Sequence, residues 1–138
     1  MGERNLMPAL NFKKQFVPLI ESGEKRQTIR SRKNPIKEGE RLYLYTSQRT
    51  KHCQKIAESI CSRTQNIIIS NYQLDSYSRV FLDCEQLCTA HVKELAIRDG
   101  FENVEEFFEF FLSSPKAETK GLVTSFTGQL IKWGMLCK

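Results

Sequence analysis

Residues 22–32 (SGEKRQTIRSR) form the densest cluster of polar and basic side chains in this sequence. Within the cluster, residues 27–31 predict a short β-strand. Alternate side chains of a strand point to opposite faces, so Thr28 and Arg30 share one face and Ile29 points the other way. Ile29 is therefore expected in the core, while Thr28 and Arg30 line a polar surface.

Lys25 lies just before this strand, after the turn expected at Gly23, and can curl back towards Thr28. Lysine, threonine and arginine side chains that converge at a strand start could hold an anion or a polarised carbonyl group. The alternative is a solvated basic edge strand, since strand edges often carry Lys and Arg. The residues leave both interpretations open, and the pattern alone favours the edge strand.

The patterns on either side predict a chain of short strands and helices. Apolar alternation favours six more strands, over residues 9–12, 41–46, 54–61, 66–70, 79–82 and 128–133. A two-turn helix is expected near residues 14–22, a turn-rich excursion over 71–78 and a loop over 114–121. Many short strands in a small chain indicate an α+β protein with a barrel-like sheet and flanking helices.

Two further helices are expected in the second half of the sequence. The first has Thr89 as its N-cap and ends at Gly100, and the second begins at Asn103 with Glu106 as a capping-box partner. Asp99 precedes Gly100, where a carboxylate is unfavourable for the helix dipole. A local rule broken in this way indicates a functional role, and the alternative is an aspartate that stabilises the turn.

Composition limits the class of protein and its partners. The chain has 138 residues, the length of one domain, and its nine Phe, four Tyr and one Trp exclude global disorder. Its net charge of +5 makes an anionic partner such as nucleic acid plausible. No apolar run approaches the ~18 residues of a membrane span and no secretory signal occurs, so we expect a cytoplasmic protein without a membrane partner.

The cysteines give no metal motif. There are five, an odd number that favours reduced thiols inside the cell. Cys84, Cys88 and His91 match no standard zinc spacing, so we expect neither a metal nor another cofactor.

A second basic segment follows the strand over residues 41–46. Its residues Arg49, Thr50 and Lys51 could form a stripe that tracks phosphates, together with Arg26, Arg30, Arg32 and Lys33. Tyr45 could offer a stacking face beside that stripe, although a tyrosine in an alternating strand more often packs half-buried.

Four segments together resemble the ASCH domain family of the PUA-like superfamily: SGEKRQTIR, GERLYLYT, LAIRDGF and LIKW. The specific part is the pattern G-x-K-x-x-T-I-R, and the resemblance extends over residues 9–133. It implies a PUA-like small mixed β-barrel with flanking helices and a pocket near the barrel mouth. It also implies a link to RNA or modified nucleosides. From the chain itself we expect a short N-terminal arm over residues 1–8 and a single domain over residues 9–138.

One branch that resembles this chain consists of small amidohydrolases that remove the acetyl group from N4-acetylcytidine. Their proposed machinery is a lysine, a threonine three residues later and a glutamate on a later helix, which correspond here to Lys25, Thr28 and Asp99. The resemblance implies that Thr28 attacks the acyl carbon, Lys25 accepts its proton, and Asp99 orients groups or shuttles a proton to the leaving amine. Asp99 departs from the family pattern because it is one methylene shorter than glutamate.

The sequence is also compatible with two other functions. In a non-catalytic RNA-binding module, Lys25, Arg30, Arg49 and Lys51 would contact phosphates and Thr28 a base edge. A ribonuclease is the third possibility, and it lacks the usual paired histidines. The sequence distinguishes neither a free nucleoside from a polymer nor the oligomeric state.

Overall fold

The computed structural model describes residues 8–74 and 77–137, so the predicted arm lies outside this part of the chain except for Pro8. Within these residues the protein is a mixed α+β protein, as predicted. Its strands are β1 (Ala9–Phe12), β2 (Gln27–Arg30), β3 (Arg41–Thr46), β4 (Gln54–Tyr72), β5 (Tyr77–Leu82), β6 (Glu85–Gln86), β7 (Glu118–Lys120) and β8 (Val123–Trp133). Its helices are α1 (Val17–Ser22), preceded by a 3-10 turn over Lys14–Phe16, α2 (Thr89–Arg98) and α3 (Val104–Leu112).

The chain forms two compact units that are interleaved along the sequence. The first unit consists of the described residues within Met1–Gln27, Pro35–Thr64 and Ile131–Lys138. The second unit takes Thr28–Asn34 and Gln65–Leu130. Each unit has its own cluster of buried apolar side chains.

The first unit is built on β3. This strand pairs in parallel with β1 and antiparallel with the first half of β4, with a register shift between Leu44 and Tyr45. The alternation of RLYLYT buries Leu42 and Leu44, as predicted, because both side chains point to the same face. The buried cluster of this unit consists of Leu10, Phe12, Phe16, Ile20, Ile36, Leu42, Leu44, Cys61, Ile131 and Trp133.

Helix α1 supports the same cluster. Pro18 is tolerated because it lies at the start of the helix, and Ile20 is fully buried. Gly23 ends the helix with φ +87°, a left-handed conformation that favours glycine. The predicted helix near residues 14–22 is therefore confirmed as a 3-10 turn followed by a short α-helix.

The second unit packs helices against strands. The second half of β4 pairs antiparallel with β5, β5 pairs with β6, and β7 pairs with β8. Strand β2 pairs with β8. The core is the cluster Ile29, Ile67, Ile69, Val80, Val92, Leu95, Ala96, Phe107, Phe111, Phe126 and Leu130.

The structure corrects several sequence predictions about strands. The two strands expected over residues 54–61 and 66–70 are one continuous strand, β4, because the polar stretch between them is also extended. The excursion expected over residues 71–78 does contain a turn, at residues 73–74, but it is shorter than predicted, since Asn71 and Tyr72 pair with Ser78 and Tyr77. The expected loop over residues 114–121 contains β7, and β8 begins at Val123 rather than at residue 128.

The two predicted helix starts have different outcomes. Asn103 is confirmed as the N-cap of α3, because its side-chain oxygen accepts a hydrogen bond from the Glu106 backbone N–H at 2.8 Å. The prediction that Thr89 is the N-cap of α2 is wrong, since Thr89 is already the first residue of the helix. Cys88 occupies the cap position, and its side chain makes no capping hydrogen bond.

This difference predicts that alanine substitutions at the two positions lower the free energy of unfolding by different amounts. Asn103→Ala is expected to lower the free energy of unfolding by about 1 kcal/mol, because an N–H at the start of α3 loses its acceptor. Thr89→Ala is expected to change it by less than about 0.5 kcal/mol, as for a surface residue with no special role. Urea denaturation followed by circular dichroism measures both changes in the free energy of unfolding. Equal losses of stability in the two variants would contradict the assignment of Asn103, and not Thr89, as a capping residue.

Gly128 sits at a close approach between β8 and β2. A Cβ atom there would lie 2.6 Å from the carbonyl oxygen of Arg30 and 3.0 Å from Cε1 of Phe126. Real Cβ atoms do not come this close to backbone, so any larger residue must push β2 away. Gly128 therefore allows Arg30 to take its observed place.

Gly128→Ala is accordingly expected to lower the free energy of unfolding by about 1–3 kcal/mol, the usual cost of overpacking. Gly134→Ala is the matched control, because a Cβ at Gly134 meets nothing within 4 Å. The same denaturation experiment compares the two variants. If the Gly128→Ala protein were as stable as the control, β2 would be able to move away from β8 without any loss of stability.

Candidate functional site

Strand β2 brings Thr28 and Arg30 together on one face, as the sequence predicted. The Nε of Arg30 donates a hydrogen bond to Oγ1 of Thr28 at 3.0 Å. Ile29 points the other way and belongs to the core of the second unit. The strand ends at Arg30, one residue earlier than predicted.

Asp99 is the buried acid of the second unit. It is the C-cap of α2, its backbone N–H donates to the Leu95 carbonyl at 3.0 Å, and the next residue, Gly100, has φ +102°. The side chain is only 4% exposed, so it is not an ordinary solvent-facing turn aspartate. A buried carboxylate needs a partner of opposite charge or strong hydrogen bonds.

Arg30 supplies such a charge. The pKa of Arg30 is lowered to about 10, chiefly because the guanidinium is buried. The carboxylate of Asp99 opposes this shift, and the nearby charge of Arg32 adds to it. A pKa in that range leaves the guanidinium charged at neutral pH. Asp99 therefore helps to keep a positive charge beside the Thr28 hydroxyl.

This arrangement can stabilise negative charge on oxygen. The Thr28 side chain is 5% exposed, and its oxygen accepts a hydrogen bond from a cation. A preorganised cationic donor in a site with little water favours an alkoxide or an oxyanion more than water does. The three residues Thr28, Arg30 and Asp99 all belong to the second unit.

Lys25 belongs to the first unit and is buried there. Its side chain is 2% exposed, and its Nζ lies 5.0 Å from the centre of the Phe16 ring and 5.8 Å from that of Phe12. Its backbone N–H donates to the Leu19 carbonyl at 2.9 Å. Because both Lys25 and Thr28 are buried, the interpretation of this segment as a solvated basic edge is wrong for these two residues.

The other predicted binding residues lie in the first unit and are more accessible. Arg26 is exposed, and its Nε donates to the Gly23 carbonyl at 3.0 Å. Arg49 and Lys51 are exposed in the loop between β3 and β4, where Arg49 has φ +66°. Tyr45 is half-buried and lies opposite Asn11 and Lys55 in the sheet.

A cavity of about 280 Å³ opens beside Arg30 in the second unit. Its lining includes three cationic side chains and three aromatic rings, from Arg30, Arg32, Lys116, Phe110, Phe111 and Phe126. The ammonium group of Lys116 donates to the Ser31 carbonyl, which holds this lysine beside β2. Sequence reasoning missed Lys116, because this contact joins residues 85 positions apart.

The described residues contain no metal site. Within residues 8–74 and 77–137, no three His, Cys, Asp or Glu side chains come together as possible ligands. All five cysteines are free thiols. In this same part of the chain, no helix has both the length and the apolar character needed to cross a membrane.

Comparisons of the chain with protein-family models, with curated proteins and with solved structures gave no match.

The Arg30–Asp99 pair predicts a measurable coupling. Asp99→Asn is expected to lower the free energy of unfolding by about 2 kcal/mol, below the ~3–5 kcal/mol of a fully buried pair because Arg30 is only partly buried. Combining it with Arg30→Met should cost less than the sum of the two single changes, with a coupling of at least about 1 kcal/mol. A double-mutant cycle in urea measures this coupling, and a value of zero would contradict the pairing.

Proposed function

We propose that this chain is an amidohydrolase that removes an N-acyl group from an N4-acetylcytidine-like base, in a PUA-like domain of the ASCH type over residues 9–138. The observation that carries the proposal is the buried Thr28 hydroxyl, which accepts a hydrogen bond from the Arg30 guanidinium. The sequence resemblance gives the same threonine the role of nucleophile. The free thiols of the chain suit a cytoplasmic setting, where such a base would be met.

The proposed reaction has two steps. In the first, the Thr28 oxygen attacks the acyl carbon and its proton is accepted by a base. The bond from the carbonyl carbon to the exocyclic nitrogen then breaks, and that nitrogen takes a proton and leaves as the amine of cytidine. In the second step, water hydrolyses the acyl ester on Thr28, releases the carboxylic acid and restores the hydroxyl.

Arg30 and Asp99 act on charge in this scheme. The guanidinium donates to the Thr28 oxygen and therefore favours the alkoxide that forms when the base removes its proton. During the attack this negative charge passes to the acyl carbonyl oxygen. The negative charge of Asp99 raises the pKa of the guanidinium and so favours its charged form, and we assign Asp99 as a positioning residue for Arg30. Shuttling of a proton to the leaving amine is the second role open to Asp99.

The role of Lys25 as the proton acceptor rests on the resemblance alone. Lys25 is three positions before Thr28 in the chain, as in the family pattern G-x-K-x-x-T-I-R. Its burial against two aromatic rings excludes the bulk water that would otherwise compete for the amine. No metal or other cofactor enters the proposed reaction.

The second candidate is a non-catalytic RNA-binding module. It is favoured by the exposed basic loop with Arg49 and Lys51, next to the half-buried ring of Tyr45. Such a loop can hold phosphates, and its affinity for RNA would fall steeply as salt is raised. A ribonuclease using the same basic residues ranks third.

The test is release of cytidine from N4-acetylcytidine, followed by chromatography. Wild-type protein is expected to release cytidine, and Thr28→Val, which keeps the shape but removes the hydroxyl, should lower kcat at least about 1,000-fold. Thr28→Ser, which keeps a nucleophilic hydroxyl, should remain within about tenfold of wild type. Lys25→Met should be as inactive as Thr28→Val.

The exposed Lys37→Met is the control for Lys25→Met and should retain full activity. Each variant is first shown to fold by circular dichroism. No release by the folded wild-type protein, from the acetylated nucleoside or from its phosphorylated forms, would refute the hydrolase and leave RNA binding, with an affinity that Thr28→Val hardly changes. Full activity of Thr28→Val would remove Thr28 as the nucleophile.

A further inference from the structure

The 280 Å³ cavity beside Arg30 has an excess of positive charge. Arg30, Arg32 and Lys116 line it, and no carboxylate is among its lining residues. Arg30 and Arg32 are close enough for the second charge to lower the pKa of the first. A bound anion would relieve this repulsion, so the charge pattern suits a negatively charged ligand.

The geometry of the two outer cations suits a phosphate. Arg32 uses its Nε to donate to the Asn34 carbonyl at 3.2 Å, which fixes the plane of its guanidinium. Lys116 donates one of its three ammonium hydrogens to the Ser31 carbonyl, which fixes its position at the strand end. A planar arginine fork and a lysine point charge together form a common pair for phosphate oxygens.

The same cavity offers an aromatic surface. Phe110 packs against Phe101 and Phe111, with ring centres 5.5 Å and 5.0 Å apart, yet it remains 42% exposed. A ring held firmly by its neighbours while partly open to solvent is suited to stack on a flat heterocycle. A cavity of about 280 Å³ lies just below the usual range of about 300–1,000 Å³ for ligand pockets, so it fits one small ligand.

We infer that this cavity binds a single phosphorylated nucleotide, with the phosphate at Arg32 and Lys116 and the base against Phe110. The inference rests on the proposed function, since Arg30 joins the cavity to the Thr28 hydroxyl. It deepens that function by giving the substrate class as a nucleoside monophosphate rather than a free nucleoside.

Titration calorimetry at low ionic strength tests this with cytidine, cytidine 5′-monophosphate and cytidine 3′-monophosphate. At least one monophosphate is expected to bind the full chain about tenfold or more tightly than cytidine, as one charge-assisted contact allows. Arg32→Gln and Lys116→Gln should each reduce that affinity about five- to tenfold and leave cytidine binding unchanged. Phe110→Leu should weaken both ligands and leave the binding of inorganic phosphate unchanged.

Lys120→Gln is the matched control, since it removes the same charge from an exposed position on β7 outside the cavity lining. It should leave all affinities as in wild type. Equal binding of cytidine and both monophosphates, or full monophosphate affinity in Arg32→Gln and Lys116→Gln, would overturn the inference.

These ligands carry no acyl group, so the binding result does not depend on turnover. Absence of hydrolysis of both N4-acetylcytidine and its 5′- and 3′-monophosphates, together with a preference for a monophosphate, would refute the proposed function alone. Hydrolysis of N4-acetylcytidine without that preference would refute the nucleotide site alone.

Discussion

The partly buried guanidinium of Arg30 is the charge around which the site of the second unit is arranged. Removing a cation from water is costly, and the carboxylate of Asp99 offsets part of that cost. The same guanidinium donates to the Thr28 hydroxyl, so one residue links a buried acid to a buried hydroxyl. A lysine would not replace it equally well, because its ammonium group sits on a flexible stem and lacks the rigid planar donor geometry of a guanidinium.

Backbone geometry, rather than side-chain chemistry, gives Arg30 this place. Gly128 lets β8 approach the Arg30 carbonyl more closely than any residue with a Cβ would allow. The alternation of β2 then sends Ile29 into the core and turns Thr28 and Arg30 to the other face. Core packing of Ile29 therefore determines which face of β2 carries the polar pair, and the hydrogen bond between Arg30 and Thr28 orients the two side chains on that face.

The sequence predicts those parts of the molecule whose signals are local. Alternation over residues 27–30 and 41–46 places side chains correctly, and the cap at Asn103 follows from two residues three apart. The continuity of β4 has no such signal, because its middle is polar and exposed. β7 is likewise exposed at all three positions, and the approach of Lys116 to Ser31 joins distant segments, so no local pattern contains either.

The division of the chain into two units also explains why the sequence predicts two strands where β4 is one. Cys61 belongs to the core of the first unit, and Ile67 and Ile69 belong to that of the second. Each apolar pattern is complete for its own unit, and the polar residues between them lie where one unit ends and the next begins. Leu130 and Ile131 in β8 repeat this arrangement, since these adjacent buried residues belong to different clusters.

The interleaving has a consequence for how the protein is made. The chain passes from one unit to the other after Gln27, Asn34, Thr64 and Leu130. Ile131 and Trp133, which complete the core of the first unit, are synthesised after every residue of the second. The core of the first unit therefore cannot be completed until the last residues of the chain have been synthesised. In addition, no single cut through the polypeptide releases either unit as a continuous fragment.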